Sequence, residues 1–259
     1  MSSPAQLRKQ IEAALAGRIP AALSPPPRSA PELLSCGLAE VDAVLGGGVP
    51  LGAITELTGG DSCGRTTLAL ATLAAITQQG ESCAYVDVCD ALDPLSAAAL
   101  GVELRRLLWV RSTLRQAISS PAISSQSTLR LEQGLRATDL LLNAGGFRAV
   151  VLDMGETPPE QARRVPLATW YRFRLQAEKS RTLLLLISNQ SVAQSCAALS
   201  LSFHPARARW RQAAPGAPPL LAGMDYCLSL ERSRSAEAIR KKPAAFAKAA
   251  WRSTAVWAG

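Results

Sequence analysis

Along most of the chain, the spacing of apolar residues changes back and forth between a pattern typical of strands and a pattern typical of helices. This indicates strands and helices that follow one another. Continuous apolar runs such as residues 149–153 and 182–188 are typical of strands buried on both faces of a sheet. Stretches such as 66–77 repeat their apolar residues at helical spacing. This order predicts an α/β fold with a mostly parallel sheet flanked by helices and with short antiparallel strands at one edge. The predicted strands are 53–57, 83–87, 107–111, 148–153, 182–188, 200–203, 206–211 and 226–231, and the predicted helices are 66–77, 129–143, 166–179 and a short one around 93–100.

The chain begins with an amphipathic pattern that differs from the rest. Leu7, Ile11 and Leu15 share one face of a predicted helix, and a lone helix cannot bury such a face by itself. We therefore expect this helix to dock on its own domain or on another molecule. The predicted segments are the helix at 1–18, a proline-rich linker at 19–32, a core domain at 33–232 and a basic tail without a core pattern at 233–259.

Composition excludes several classes of protein. Of the 259 residues, 48% are hydrophobic and 19% are charged, as in ordinary soluble α/β proteins. The longest apolar run is far shorter than the roughly 20 residues that a bilayer requires, and the first residues show no signal-peptide pattern. We therefore expect a cytoplasmic protein with no membrane partner. Six cysteines without a CxxC pair and a single histidine, His204, argue against a zinc site, a disulfide framework and a histidine base.

The formal net charge of +8 is unevenly distributed. Basic residues outnumber acidic ones in residues 161–181, 205–212 and 228–259, which lie in the C-terminal part of the chain. Concentrated positive charge favours a polyanion or an acidic protein as partner. The alternative is that these are solvated faces that keep the chain soluble.

The stretch 205–212 is the candidate for contact with DNA. Arginines recur there at alternate positions with one tryptophan between them. Arginines hold phosphates and aromatic rings stack on bases, so this composition predicts binding of single-stranded DNA. The predicted DNA-binding residues are Arg207, Arg209, Trp210 and Arg211.

Aromatic residues also occur among the basic residues of 161–181. We predict that Leu167, Tyr171 and Leu175 are core positions of an amphipathic helix whose basic residues lie in solvent. Contact with DNA through this helix is the alternative.

A glycine-rich loop between the strand at 53–57 and the helix at 66–77 carries the densest chemical signal. It fits the phosphate-loop pattern G-x-x-x-x-G-K-[ST] at every fixed position except the lysine, which is Arg65. Glycines let successive backbone N–H groups face phosphate oxygens, and the helix N-terminus adds the positive end of its dipole. The alternative is a glycine-rich turn without a ligand. The predicted nucleotide-binding residues here are Gly59, Gly60, Asp61, Ser62, Cys63, Gly64, Arg65, Thr66 and Thr67.

Asp153 ends the apolar run 149–153 and stands where phosphate-loop proteins have a carboxylate that holds Mg²⁺ through water. Thr66 would be the hydroxyl ligand of the same ion. ATP with Mg²⁺ is therefore the predicted ligand, with Thr66 and Asp153 at the metal. Because a planar guanidinium needs more room than an ammonium group, Arg65 can preserve binding while hydrolysis is lost.

Several motifs in a fixed order resemble the core of the RecA family. They are the glycine-rich approach at 46–52, the phosphate loop, the run 85–94 and the apolar strand that ends at Gln190. The resemblance covers about residues 33–231 and implies a RecA-like P-loop core in which Gln190 senses the γ-phosphate. With its N-terminal helix and proline-rich linker, the chain is most similar to the ImuA branch of RecA-like proteins. That branch, like the related SulA group, is regarded as having lost recombinase activity.

Two departures from the family pattern bear on activity. Where RecA proteins have the carboxylate that activates the attacking water, this chain has Cys89, and the neighbouring Asp90 is expected to point elsewhere. The segments that follow Asp153 and Gln190, which match the DNA-binding loops of RecA, are short and lack a glycine-rich stretch. Strand exchange through them is therefore not expected.

The resemblance implies an accessory protein of DNA damage tolerance that acts in SOS-induced translesion synthesis. Its implied partners are RecA, a Y-family polymerase-like protein, an error-prone replicative-type polymerase and single-stranded DNA, and its ATP hydrolysis is expected to be weak or absent. Two alternatives stay open. One is an active DNA-stimulated ATPase that remodels recombinase filaments with Arg65 in place of lysine, and the other is a cell-division inhibitor of the SulA type.

Overall fold

The structure is a computed structural model. It describes residues 6–7, 10–11, 13, 31–112, 123–212, 218–233 and 247–254. The chain separates into two compact units, Met1–Ala30 and Pro31–Gly259. In the first unit the described residues have helical backbone, and the rest of the predicted helix and residues 19–30 of the predicted linker lie outside the described residues.

The second unit alternates strands and helices, as the hydrophobic pattern predicts. Two single turns of 3₁₀ helix, Leu104–Arg106 and Gln194–Cys196, lie between them. The helices are α1 (Ala39–Leu45), α2 (Arg65–Gln78), α3 (Pro94–Ala99), α4 (Ile123–Ala144), α5 (Pro159–Arg163) and α6 (Leu167–Ser180). The strands are β1 (Leu33–Leu34), β2 (Val49–Pro50), β3 (Ile54–Thr58), β4 (Cys83–Asp87), β5 (Leu107–Arg111), β6 (Ala149–Asp153), β7 (Leu183–Ser188), β8 (Leu199–Phe203), β9 (Arg207–Arg211), β10 (Leu220–Ser233) and β11 (Lys248–Arg252).

Within the described residues, one large sheet has the strand order β11-β10-β8-β3-β7-β6-β4-β5, and β9 pairs with β10. Neighbours from β8 to β5 run parallel, whereas β10 is antiparallel to β8, β9 and β11. The predicted fold class, a mostly parallel sheet with antiparallel strands at one edge, is confirmed.

The register of the parallel strands aligns their carboxyl ends. Thr58 of β3 lies opposite Ser188 of β7, and Asp87 of β4 lies opposite Asp153 of β6. The chain leaves these strands at one edge of the sheet, where ligands bind in open α/β folds. The phosphate loop follows β3 at this same edge.

Apolar side chains cover both faces of the sheet. Leu185 and Ile187 belong to a cluster on the side of α2. Leu184 and Leu186, the alternate positions of the same strand, belong to a cluster on the side of α4 and α6. This alternation explains why β7 is apolar at every position from Leu183 to Ile187.

The buried face of α6 differs from the prediction. The predicted core positions Leu167, Tyr171 and Leu175 are exposed, and Trp170 and Phe173 are fully buried instead. Both sets repeat at helical spacing, so periodicity alone could not choose between them. Burial of Trp170 and Phe173 removes two large apolar rings from water, and these rings pack edge to face with their centroids 5.9 Å apart.

The C-terminal region also differs from the prediction. The sequence predicts no core pattern in 233–259, but this segment contains β11, which pairs with β10. Trp251 of β11 is buried; its ring stacks on Tyr226 with centroids 5.3 Å apart and meets Phe203 edge to face at 6.0 Å. Strand β10 is much longer than the predicted strand 226–231, because its first half pairs with β9.

No helix in the described ranges is long and apolar enough to cross a membrane.

Candidate nucleotide site

The loop that joins β3 to α2 has the backbone of an anion cradle. Gly59, Ser62 and Gly64 have φ of 156°, 55° and 99°. A β-carbon on Gly64 would lie 2.6 Å from Cδ1 of Tyr226, so only glycine fits there. Among the described residues, no acceptor is found for the backbone N–H groups of residues 60–67. These N–H groups and the N-terminus of the 14-residue helix α2 can receive phosphate oxygens.

Arg65, the first residue of α2, turns its side chain along the carboxyl edge of the sheet. The residue is only 7% exposed. Its Nη1 donates a hydrogen bond to Oδ1 of Asn189, just after β7, at 2.7 Å. Its Nη2 lies 3.8 Å from Oδ1 of Asp61, whose side chain is almost fully exposed, so this ion pair contributes little. The guanidinium is thus held between the phosphate loop and the end of β7.

Asp153 at the end of β6 already has a partner for each carboxylate oxygen. The Tyr85 hydroxyl on β4 donates to Oδ2 at 2.5 Å, and the Gly155 N–H donates to Oδ1 at 2.8 Å. Burial raises the pKa of the Asp153 carboxyl above its ordinary value, while the Tyr85 and Gly155 hydrogen bonds and the charge of Arg65 act in the opposite direction. Burial likewise raises the pKa of the Tyr85 hydroxyl.

The two predicted metal ligands are unequally available. Thr66 is exposed, and its hydroxyl has no hydrogen bond within the part of the chain that is described. Asp153 is buried, and both of its oxygens are engaged. The residues therefore fit phosphate, whereas Asp153, which is buried beside the Arg65 guanidinium, is a poor ligand for a hydrated Mg²⁺ ion.

The loop after β4 holds Cys89 in place of a base. The Asp87 carboxylate fixes this loop by accepting hydrogen bonds from the Ala91 N–H and the Leu92 N–H, each at 2.9 Å. The Cys89 Sγ lies 3.9 Å from Oγ1 of Thr157. Burial raises the pKa of the Cys89 thiol, so the thiolate is scarce near neutral pH.

Asp90, next to Cys89, is not a substitute base. Both of its carboxylate oxygens accept hydrogen bonds from the Arg111 guanidinium, from Nε at 2.7 Å and from Nη2 at 2.8 Å. The Arg111 guanidinium lowers the pKa of the Asp90 carboxyl, and a weaker base accepts a proton less readily. The expectation that Asp90 points elsewhere is confirmed.

Gln190, the predicted γ-phosphate sensor, makes its contacts with the segment around α5. Its Oε1 accepts a hydrogen bond from Nη2 of Arg163 at 2.6 Å, and its Nε2 donates to the Pro159 carbonyl at 2.9 Å. The structure brings Asn189, rather than Gln190, into contact with Arg65. A sensing role for Gln190 stays a prediction.

Glu56 is a residue whose role the sequence analysis did not single out. It lies in β3 with no exposed surface. Its Oε1 accepts from the N–H groups of Val192 and Ala193 at 2.6 and 3.0 Å, and its Oε2 accepts from the Ser191 hydroxyl at 2.7 Å. The segment that follows Gln190 is therefore fixed to the sheet. An acidic residue in the middle of a strand predicted to lie inside the sheet was the available signal.

The predicted DNA-binding residues lie on a hairpin formed by β9 and the first half of β10. Arg207 and Arg211 are exposed, and Trp210 is 63% exposed. Arg209 differs, because its Nε lies 3.1 Å from Oδ1 of Asp225 and its Nη2 donates to the Ser253 carbonyl at 2.7 Å. The hairpin thus presents two exposed arginines and an indole to solvent.

Comparisons with known proteins agree with this architecture. Protein RecA of Rhizobium leguminosarum bv. viciae is 34% identical over 172 residues, which cover 61% of this chain and 44% of that protein. Protein RecA of Allorhizobium ampelinum is 41% identical over 123 residues, which cover 47% of this chain and 30% of that protein. The chain thus spans less than half the length of these curated relatives.

A crystal structure of the RadB recombinase is similar in fold, with a TM-score of 0.57, 20% identity, and coverage of 85% of this chain and 96% of that one. A model of the RecA N-terminal domain matches residues 27–157, about half of the chain, and this match includes the phosphate loop and Asp153. The chain therefore belongs to the RecA N-terminal domain family.

Proposed function

We propose that this chain binds a nucleoside phosphate at residues 59–67, hydrolyses it slowly or not at all, and acts as an accessory protein of DNA damage tolerance. The observation that carries this proposal is an intact phosphate cradle beside two replaced catalytic positions. The cradle keeps its glycines and unpaired N–H groups. Arg65 occupies the position of the phosphate-loop lysine, and Cys89 occupies the position of the carboxylate that activates water.

Slow hydrolysis follows from the chemistry of the residues near the phosphates. A half-buried thiol with a raised pKa cannot polarise water as a carboxylate does. Asp90 is engaged by Arg111. Nucleotide would then act as a ligand that stabilises the nucleotide-bound form of the protein, and its hydrolysis would not drive the protein's action.

The anchored segment after Gln190 supports an accessory role over strand exchange. Glu56 fixes residues 191–193 to the sheet through three hydrogen bonds. A loop that must rearrange around DNA needs local freedom, which buried backbone hydrogen bonds remove. The partners that we propose are RecA, a Y-family polymerase-like protein, an error-prone replicative-type polymerase and single-stranded DNA, and they rest on the resemblance to the ImuA branch.

The first test is phosphate release at steady state, with and without single-stranded DNA, alongside nucleotide binding to the same protein. We expect binding with release near background, because the loss of a positioned base costs about 10²- to 10⁴-fold in rate. The double variant Arg65→Lys with Cys89→Glu should raise release above that of the wild type. Robust wild-type turnover that Asp153→Ala abolishes would contradict the proposal and favour a filament-remodelling ATPase.

The second test concerns partners. Tagged full-length chain should retain purified RecA or the polymerase components in a co-elution assay. Retention of a cell-division protein, with none of these bound, would instead support an inhibitor of the SulA type.

A further inference from the structure

The carboxyl edge of the sheet already carries a positive charge close to the place where a cation would be bound. The guanidinium of Arg65 is held there by Asn189. Asp153 and Arg65 both reach Gly155. A β-carbon placed on Gly155 would lie 3.1 Å from Oδ1 of Asp153 and 3.8 Å from Nη2 of Arg65. The two groups are close enough for the charge of Arg65 to influence Asp153.

The carboxylate that would draw a metal ion to this place is buried and already accepts hydrogen bonds. The Tyr85 hydroxyl and the Gly155 N–H occupy the two oxygens of Asp153, and the residue is buried. A Mg²⁺ ion held by Asp153 through water would have to bring its hydration shell to a buried carboxylate beside a fixed guanidinium. Mg²⁺ also gives up its water reluctantly and demands near-ideal octahedral geometry.

We propose that the Arg65 guanidinium replaces the divalent cation at this site, so that the loop binds a nucleoside di- or triphosphate free of metal. This inference rests on the proposed nucleotide binding. The guanidinium offers planar N–H groups that suit phosphate oxygens, and the unpaired N–H groups of residues 60–67 complete the cradle. A free nucleotide carries more negative charge than its magnesium complex, so it is attracted more strongly to Arg65.

The experiment is a titration of the full chain with fluorescent ADP and ATP analogues, in EDTA and in excess Mg²⁺. We expect the affinity in EDTA to equal or exceed the affinity in Mg²⁺. Arg65→Ala should weaken binding about tenfold or more in both buffers, because it removes a charge-assisted contact. The double variant Arg65→Lys with Tyr85→Phe frees Oδ2 of Asp153 and replaces the planar guanidinium by a smaller ammonium group. It should bind nucleotide more tightly in Mg²⁺ than in EDTA.

A direct measurement of the metal complements the titration. Mn²⁺ is followed by electron paramagnetic resonance with ADP present, since bound and free Mn²⁺ give different signals. We expect no protein-bound Mn²⁺ for the wild type and bound Mn²⁺ for the double variant. Circular dichroism confirms that each variant is folded, and Tyr85→Phe alone serves as the matched control, because it removes a single hydroxyl and leaves Arg65 in place.

The outcomes separate the inference from the proposed function. Wild-type binding that requires Mg²⁺, or Mn²⁺ bound to wild type with ADP, would overturn the inference while nucleotide binding stands. If neither nucleotide binds in either buffer, the proposed nucleotide binding and the inference are both overturned.

Discussion

Buried charged side chains in this domain are paired with groups from other elements. Glu56 is fully buried in a parallel strand, where an unpaired carboxylate would cost several kcal/mol. Its two oxygens receive three hydrogen bonds from Ser191, Val192 and Ala193. One residue of β3 thus determines the path of the chain after β7.

We expect Glu56→Ala to lower the free energy of unfolding by about 3 kcal/mol, because it leaves two buried N–H groups without an acceptor. Glu56→Gln should cost about 1 kcal/mol or less, since its carbonyl oxygen can accept from both N–H groups and its amide can donate to the Ser191 hydroxyl. Urea denaturation measures both, with the exposed Glu132→Ala on α4 as control. Equal losses for the two Glu56 variants would contradict this account.

At this scale the sequence predicts the loop and the run that ends in Asp153, because local patterns encode both. The sequence could not show which distant residues the side chains of the site contact. Tyr85 and Asp153 are 68 residues apart, and Glu56 and Val192 are 136 apart, so their contacts depend on strand order. The replacement of lysine by Arg65 was visible in the sequence, but its contact with Asn189 was not.

At the scale of elements, the central strands are the easiest to predict. β4, β6 and β7 are apolar runs buried on both faces. The sequence analysis does not predict β11, although buried and exposed residues alternate along it. Five residues in a stretch rich in alanine and lysine are a weak signal, and β11 is stabilised by pairing with β10 and by the stacking of Trp251 on Tyr226.

The β9–β10 hairpin is the element that we expect to contact single-stranded DNA. Arg207→Ala with Arg211→Ala should lower the affinity and reduce the magnitude of the salt slope by about 0.7 for each phosphate that the variant no longer neutralises. Trp210→Ala should remove about 1–3 kcal/mol of binding free energy if a base stacks on the indole. Fluorescence anisotropy of a labelled oligonucleotide at several salt concentrations measures both effects.

The matched control for the hairpin is Arg105→Ala, because its side chain is 86% exposed and it precedes β5, at the opposite end of the sheet. Arg209 is left unchanged, since its side chain contacts Asp225 of β10 and the Ser253 carbonyl after β11 and so helps to hold the hairpin in place. Absence of wild-type binding at low salt would contradict the prediction and assign the basic residues to an acidic protein partner.

At the scale of the whole molecule, the large unit contains the hydrophobic cores that the structure describes. Both clusters of buried residues are built from residue 36 onward. Residues Met1–Ala30 form a compact unit of their own, and its described large apolar side chains, Leu7 and Ile11, are 52% and 40% exposed. An apolar helical face that remains in water is usually covered by a partner.

We therefore expect the N-terminal segment to mediate association with another protein molecule. Light scattering should give more subunits per particle for the full-length chain than for a variant that lacks residues 1–30, either alone or mixed with RecA. Leu7→Asp with Ile11→Asp keeps the full length, removes the exposed apolar side chains and should behave like the truncated variant. Because a partner can bury only the exposed half of these two side chains, their burial contributes about 1.5–3 kcal/mol in total, and their loss should reduce association by about one order of magnitude or more. An equal number of subunits per particle for all three proteins would show that the apolar face is not an association surface.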